Sequence, residues 1–568
     1  MHIALRKIPA QLPNLGVSSL LTRIYATRGI TSADELNLTL SKLLPYQDLS
    51  GITDAVNLLI SSMQNNDKII VIGDFDVDGA TSCATAVLGL RMLGAKNVQY
   101  LVPNRFKFGY GLTTDIVSFA LKLNPNLLLT VDNGITSIDG VVAAKKANLK
   151  VIITDHHLPG SVLPQADAII NPNQNNCRFA SKNLAGVGVM FYLLIALRAK
   201  LRDLGKFADK NIPNLAKLLD LVALGTVADM VQLDFNNRIL VHQGLARIRT
   251  GIGNIGINAL IEVAKLDNKQ INANHLSYQL APRLNAAGRM DDMRLGVECL
   301  LADDVTTAVA LAHKLTNLNS ERKTVETAMQ LEAHTELQKI NFSDIPAGIC
   351  LYQEHWHQGV SGILATKITN QYLKPTIIFA KTSDHELKGS GRSIDGVHLK
   401  DCLTAIANKH PNLILSFGGH SMAAGLTIYA NNFAKFAKEF AGEIQNSSNN
   451  IIAHAKAYDF ISDDEINLKS AFDVHYAGTW GTGFLEPMFY GRFTIIDQYL
   501  LVGKHLKLKL ITKSKVLLDA VSFNVDVNLW PNRRAKEIEI TYRLNINRYN
   551  NLDNLQLIIE HLAVTVEY

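Results

Sequence analysis

The chain has 568 residues, 47% hydrophobic and 19% charged, which is ordinary for a globular protein and wrong for a disordered one. That length excludes a hormone, a lone binding module and a disulfide miniprotein, and at ~100–200 residues per domain it corresponds to about three to five domains. Lys and Arg number 56 against 51 Asp and Glu, and a balance of +5 is too small to imply a nucleic-acid partner, so any basic surface must come from local clustering.

Residues 1–50 read as a helical lead-in with polar breaks. From Lys68 the rhythm changes: KIIVIGD, NVQYLVPN, NLLLTVDNG, LKVIITDHH and ADAIINPN are short apolar runs halted by Asp, Asn, Gly or Pro. Helix-like segments lie between several of them, a pattern of βαβ units that predicts a mainly parallel sheet. It fades near Asn175 into a helical region. Residues 303–338 contain neither Gly nor Pro and open on acids, which predicts a helix roughly 50 Å long that bridges two domains. A second α/β rhythm follows (GICLYQ, GILATKITNQY, PTIIFAK, NLILSFGGH) and closes at an Asn/Ser break near residue 446, read as a linker. The remainder, from RFTIIDQYLLVG to LQLIIEHLAV, is strand-rich and predicts a small all-β barrel or sandwich.

Cys83, Cys177, Cys299, Cys350 and Cys402 are scattered and form no C-x-x-C, which fits a reducing compartment and opposes a zinc finger. The first residues make a poor signal peptide, and no apolar stretch reaches the ~18 residues of a membrane span. A cytoplasmic protein with no membrane partner is expected.

The most informative segment is VIGDFDVDGATS. Asp74, Asp76 and Asp78 alternate with Phe75 and Val77, so an extended chain projects all three carboxylates to one face, where they repel unless a cation binds them or they fan out over a loop. Gly73 and Gly79 bracket the run and permit a turn off the strand. An acidic turn would account for one D-x-D. Asp132 ends a second strand, however, and Asp155, followed by His156 and His157, ends a third. Open α/β sheets gather functional groups at such carboxyl ends. Asp229, in LGTVADMV, is a further candidate that alone would read as a helix end. Oxygen donors with one or two imidazoles and no thiolate favour Mn²⁺ or Mg²⁺. Five or six carboxylates exceed the charge of one divalent ion, so two ions, at the ~3.5–4 Å separation used for phosphoryl displacement, are the natural count.

With GDFDVDGATS, NRFKFGYGL, TVDNGITS, TDHHLPG, LAGVGV, LGTVADMVQL, APRLNAAGRM, SGRS and FGGHSMAAG in order, the chain resembles the DHH phosphoesterase superfamily, named for the triplet at Asp155-His156-His157, and within it the bacterial single-strand-specific exonucleases. The resemblance implies an α/β protein with a DHH catalytic domain over 51–300, a connecting helix over 301–340, a DHH-associated α/β domain over 341–446 and an OB-fold-like domain over 451–568. It makes Asp76, Asp78, Asp132, His156 and Asp229 metal ligands, with Asp132 bridging two ions and Asp74 a further candidate. Asp155 would orient His156, leaving His157 for the scissile phosphate or the leaving group; the two imidazoles could exchange roles. Arg105, Arg283, Ser390, Gly391, Arg392 and His420 become substrate contacts, although singly each is more often a turn or surface residue. The implied reaction is metal-dependent 5′-to-3′ hydrolysis of single-stranded DNA in recombination and repair, with a single-stranded-DNA-binding protein and a helicase as partners.

Three features are weighed against this. A small-substrate DHH phosphodiesterase would generally lack the long helix and the all-β C-terminus, and a replication scaffold derived from the family would have lost ligand carboxylates. Lys504, Lys507, Lys509, Lys513 and Lys515 form an acid-free run that reads equally as a DNA groove or as a solvated edge strand. Gly251, Gly253 and Gly256 spell G-x-G-x-x-G, but no strand precedes them, so a loop or helix break is expected there. Because every inferred motif lies upstream, removal of residues 451–568 is expected to leave metal-dependent cleavage of short oligonucleotides while weakening binding to long strands.

Overall fold

The computed structural model describes residues 4–104, 108–207, 211–339, 345–383, 385–447, 457–549 and 552–564. Arg105 lies outside them, as do residues 448–456 after the predicted Asn/Ser break, whereas Asn446 and Ser447 end a helix over Phe433–Ser447.

The apolar runs predicted as strands form a five-stranded, all-parallel sheet: β1 (Ile69–Gly73), β2 (Val98–Leu101), β3 (Leu127–Val131), β4 (Lys150–Thr154) and β5 (Ala168–Ile170), in the order β2-β1-β3-β4-β5. β1 and β3 are buried at every position, as a sheet covered on both faces requires. Strand order reverses between β1 and β3, so the crevice beyond their carboxyl ends is the switch point of the sheet. Helices α1 (Val77–Met92), α2 (Gly186–Asp203) and α3 (Leu219–Ala228) pack around that crevice, and helix α4 (Ala281–Met290) carries the APRLNAAGRM motif.

The long helix is present as α5 (Val305–Gln338), 34 residues with Asp304 as its N-cap, the side chain accepting from the Thr307 amide. It leads to a second sheet of β6 (Ile349–Tyr352), β7 (Thr376–Lys381), β8 (Glu386–Arg392), β9 (Ser416–Gly419) and β10 (Ala423–Tyr429), ordered β9-β10-β8-β7-β6. Only β6 and β7 pair in parallel. Helix α6 (Gln358–Tyr372) follows β6, and Arg289 at the end of α4 donates to the Gly359 carbonyl in its first turn (3.2 Å). This contact joins the two α/β units.

The C-terminal strands close into a barrel of β11 (Phe489–Leu501), β12 (His505–Ile511), β13 (Leu517–Ser522), β14 (Glu537–Tyr549) and β15 (Leu552–Val564), ordered β11-β12-β13-β15-β14. β12 is hydrogen-bonded on both sides, so the edge-strand reading of its lysines fails. Lys507 and Lys509, two residues apart on β12, share one face of the strand. Lys504 lies in the turn before β12, Lys513 and Lys515 in the turn after it, and Lys507 is paired with Asp519 (2.9 Å).

The glycine motif at 251–256 separates two helices, and Asp220 accepts from the Asn254 amide there (2.5 Å), so no dinucleotide geometry exists. The C-terminal region packs closely against the rest of the chain. Ala457 and Tyr458 pair with Ala4 and Leu5, Trp480 and Phe484 stack on Tyr25, and the Arg238 guanidinium sits 4.3 Å over the Phe484 ring. Asp459 is buried against Arg28 (2.9 Å). The barrel and the catalytic unit share one continuous apolar core.

Candidate metal centre

The D-x-D-x-D run is not extended. β1 ends at Gly73, Asp76 caps the N-terminus of α1 by accepting from the Gly79 amide (3.0 Å), and Asp78 stands in the first helical turn. The three carboxylates therefore fan out from strand end to helix start. Gly79 is needed for close approach rather than for an unusual turn, since a Cβ there would lie 2.5 Å from the Asp74 carbonyl oxygen. Asp78 is fully buried, and both its oxygens accept from the N-terminus of α2, from the Gly186 amide at 2.6 Å and the Val187 amide at 3.0 Å.

Asp132 follows β3, and His156 follows β4. His156 Nε2 lies 3.2 Å from Asp132, 3.6 Å from Asp229 at the C-cap of α3 and 4.0 Å from Asp78. Neither this nitrogen nor Asp132 Oδ1, both buried, makes a hydrogen bond among the described residues. Ligand atoms within 4.8 Å of one another occur in three overlapping sets: Asp74, Asp76 and Asp132; Asp78, His156 and Asp229; and Asp132, His156 and His157. Such a donor set, mostly carboxylate with one deeply buried imidazole, fits a hard divalent cation.

Electrostatics point the same way. Burial pushes the Asp132 carboxyl well above its ordinary value, and Asp78, Asp76, Asp229 and Asp74 add to the shift. Asp78 is raised by burial and by Asp76, and Asp229 by burial and by Asp78 and Asp76. Without a cation the cluster holds protons. His156 is lowered to about 4 by burial and by neighbouring His157, which leaves its imidazole neutral.

The expected pairing of Asp155 with His156 is corrected by the geometry. Asp155 Oδ1 lies 2.7 Å from His157 Nδ1, whereas His156 is tied to the Leu184 backbone. The remaining oxygen, Oδ2, accepts from the Ile135 amide (2.9 Å), so the carboxylate is locked. Burial alone would lower His157, but its bond to Asp155, helped by Asp229 and Asp74, raises it to about 9. The two imidazoles are thus distinguished: His156 is neutral and 12% exposed, His157 protonated and 34% exposed.

Among the substrate candidates, His420 lies at the end of β9, close enough to His157 to feel its charge. Ser390, Gly391 and Arg392 form the end of β8 beside α6, with the Arg392 guanidinium donating to the Gly391 carbonyl (2.8 Å). Arg283 is engaged elsewhere, donating to the Gln279 carbonyl and to Thr316 of α5 (3.3 Å), so it braces α4 against the long helix.

Sequence reasoning gave no role to three elements of the site. The α2 amides hold Asp78, and the signal was LAGVGV, whose Gly186 allows a backbone approach that a Cβ, 2.6 Å from Asp132, would block. Tyr110, in GYG, brings its hydroxyl 3.1 Å from His157 Nδ1 and its ring edge-on to Phe75. Asn133, buried behind Asp132, donates to two strand carbonyls.

Residues 68–226 match the family model of the DHH family N-terminal domain, 346–446 the DHHA1 domain and 460–561 the RecJ OB domain. The chain is 47% identical over 563 residues to the single-stranded-DNA-specific exonuclease RecJ of Salmonella typhimurium, covering 98% of this chain and 97% of that one. Its identity to the RecJ of Bacillus subtilis is 30%, covering 98% and 70%. The crystal structure of Thermus thermophilus RecJ in complex with Mn²⁺ superposes with a TM-score of 0.81 at 27% identity, covering 100% of this chain and 80% of that one, and the Mg²⁺ complex with 0.75 at 25%, covering 100% and 79%.

Proposed function

Because the chain belongs to the RecJ family of single-stranded-DNA-specific exonucleases, we propose that it hydrolyses single-stranded DNA from the 5′ end with two divalent cations, Mn²⁺ or Mg²⁺. The observation that carries this is the convergence of Asp74, Asp76, Asp78, Asp132, His156 and Asp229 at the switch point of a parallel sheet. Divalent cations held there would clamp the scissile phosphate and offset the charge developing on its attacking and leaving oxygens.

The chain's own groups supply the rest. Asp132 and His156 each stand in two of the three ligand sets, and of the two only the carboxylate has a second oxygen to offer, so Asp132 would be the shared ligand. The α2 amides aim Asp78 and work against the rise that burial imposes on it, and the neutral His156 offers its Nε2 lone pair. His157, oriented by its bond to Asp155, presents a proton to the leaving oxygen. His420, close enough to His157 to feel its charge, receives the 5′-terminal phosphate; Arg392 with Ser390 and Gly391, at the end of β8, and Arg105 join it on the strength of the family resemblance, and Arg283 positions α4. The 5′-to-3′ direction rests on the same resemblance, as do roles in recombination and repair, a cytoplasmic location, and a single-stranded-DNA-binding protein and a helicase as partners.

A digestion time course on 5′- and 3′-labelled single strands with Mn²⁺ tests the reading. The 5′ label should appear at once as mononucleotide while 3′-labelled strands shorten gradually, with EDTA stopping both and blunt duplex resisting. Cleavage confined to dinucleotides would show a small-substrate phosphodiesterase instead, and absence of cleavage under all conditions a scaffold.

A further inference from the structure

We propose that Asn133, together with Thr130, is a positioning residue that holds the Asp132 carboxylate in its ligand position. The inference rests on the reading of Asp132 as a ligand. Asp132 has φ 62°, a left-handed backbone that aspartate adopts more readily than most residues with a side chain but that is still uncommon. Its surroundings are specific. The Asp132 amide donates to the Thr154 carbonyl of β4 (3.0 Å), so the chain stays attached to the sheet while the side chain turns into the crevice.

Asn133 does the rest. Its Nδ2 donates to the Ile72 carbonyl of β1 (3.1 Å) and to the Val131 carbonyl of β3 (2.9 Å). These are the two strands on either side of the switch point, one leading into Asp74, Asp76 and Asp78 and the other into Asp132. A single amide thus ties together the strand ends that carry both sets of carboxylates. Thr130 Oγ1 donates in turn to the Asn133 carbonyl (2.7 Å), and Thr154 Oγ1 to the Thr130 carbonyl (2.8 Å). Thr130, Asn133 and Thr154 are all buried, so no water replaces these bonds. The chemistry is selective: two carbonyl acceptors need two donors on one planar group, and an aspartate at 133 would set oxygen against oxygen.

The test compares full-length Asn133→Ala, Thr130→Val, Thr130→Ser and Asp132→Ala with the parent protein. Mn²⁺ binding to metal-free protein is measured by calorimetry, the Mn²⁺ dependence of single-strand cleavage is followed, and folding is checked by circular dichroism. Asn133→Ala and Thr130→Val should weaken Mn²⁺ binding by roughly ten- to a hundredfold, the cost of losing a partner behind a metal ligand. The Mn²⁺ needed for half-maximal cleavage should rise in step, while kcat at saturating Mn²⁺ recovers to within about threefold. Thr130→Ser keeps the hydroxyl and should bind Mn²⁺ like the parent. Parental Mn²⁺ affinity in folded Asn133→Ala, equal losses in Thr130→Ser and Thr130→Val, or a kcat deficit that Mn²⁺ does not relieve would each overturn the proposal. If Asn133→Ala fails to fold, the Thr130 pair decides. Parental affinity in Asp132→Ala would remove the ligand assignment itself, whereas its loss there alone, with Asn133→Ala and Thr130→Val unaffected, would remove only the positioning role.

Discussion

Asp132 is 2% exposed, and desolvation combines with the charges of Asp78, Asp76, Asp229 and Asp74 to oppose its ionisation. Asp132→Ala should therefore cut Mn²⁺-dependent cleavage to below a few per cent of parental activity, by roughly a hundredfold or more, as expected when a group aimed at the reacting phosphate is removed. The same change should raise the melting temperature of the metal-free protein at pH 8, because folding no longer has to bury a carboxyl whose ionisation its surroundings oppose; a thermal melt in EDTA checks this. The sign of the pH dependence follows from the raised carboxyls of Asp78, Asp132 and Asp229. The folded state binds more protons than the unfolded chain, so metal-free stability declines as pH rises above the ordinary aspartate value of ~3.9 and continues to decline through neutrality. A cation replaces those protons. The rise in melting temperature on adding Mn²⁺ should accordingly be larger at pH 8.5 than at pH 6, and a pH-independent rise would contradict the buried cluster as its origin.

At the scale of the element, α2 determines whether the ligands can meet. Its first two amides take both oxygens of Asp78, and Gly186 leaves room for Asp132 against the helix backbone. Gly186→Ala would drive a methyl group to 2.6 Å from the Asp132 side chain, so Asp132 must shift. A displacement of about 1 Å at a reacting centre costs on the order of a hundredfold. We expect a loss of that size in kcat/KM with the secondary structure retained, measured by cleavage rates alongside circular dichroism. The α4–α6 contact plays a comparable part for the second α/β unit, since the Arg289–Gly359 bond fixes the start of α6, which packs beside Arg392.

At the scale of the whole molecule, the C-terminal region is mortared into the catalytic unit. Arg28 and Asp459 are each 3% exposed, and Arg28→Ala would leave a buried carboxylate without its main partner. Breaking a buried pair costs ~3–5 kcal/mol, so a chemical-denaturation curve should show a loss of that order. Removing residues 457–568 should do more. It would uncover Tyr25, Leu233 and Arg238 and delete the rings stacked on them, leaving a chain that melts well below the parent or aggregates. A truncated protein with the parental melting temperature would show that the shared core contributes nothing.

Much of this protein was written locally. The all-parallel sheet, the 34-residue helix and the β-rich end follow from apolar periodicity, Gly and Pro punctuation and acidic helix starts, each a property of a few neighbouring residues. The strand-end carboxylates were legible for the same reason, because a parallel sheet delivers every strand end to one edge. Pairing across the crevice was not legible. That Arg283 braces the long helix and that α2 amides seat Asp78 depends on angles between elements far apart in sequence, and that Asp155 takes the His157 ring rather than that of His156 depends on side-chain directions in a loop that the sequence pattern does not specify. The lysine run showed the same limit: that its strand is paired on both sides and that Lys507 meets Asp519 follow from the closure of the barrel, not from the run itself. The sequence by itself determined which elements form and which chemistry they carry. Tertiary structure decided which groups touch, because side-chain contact is set by packing over long sequence separations, where no local pattern constrains it.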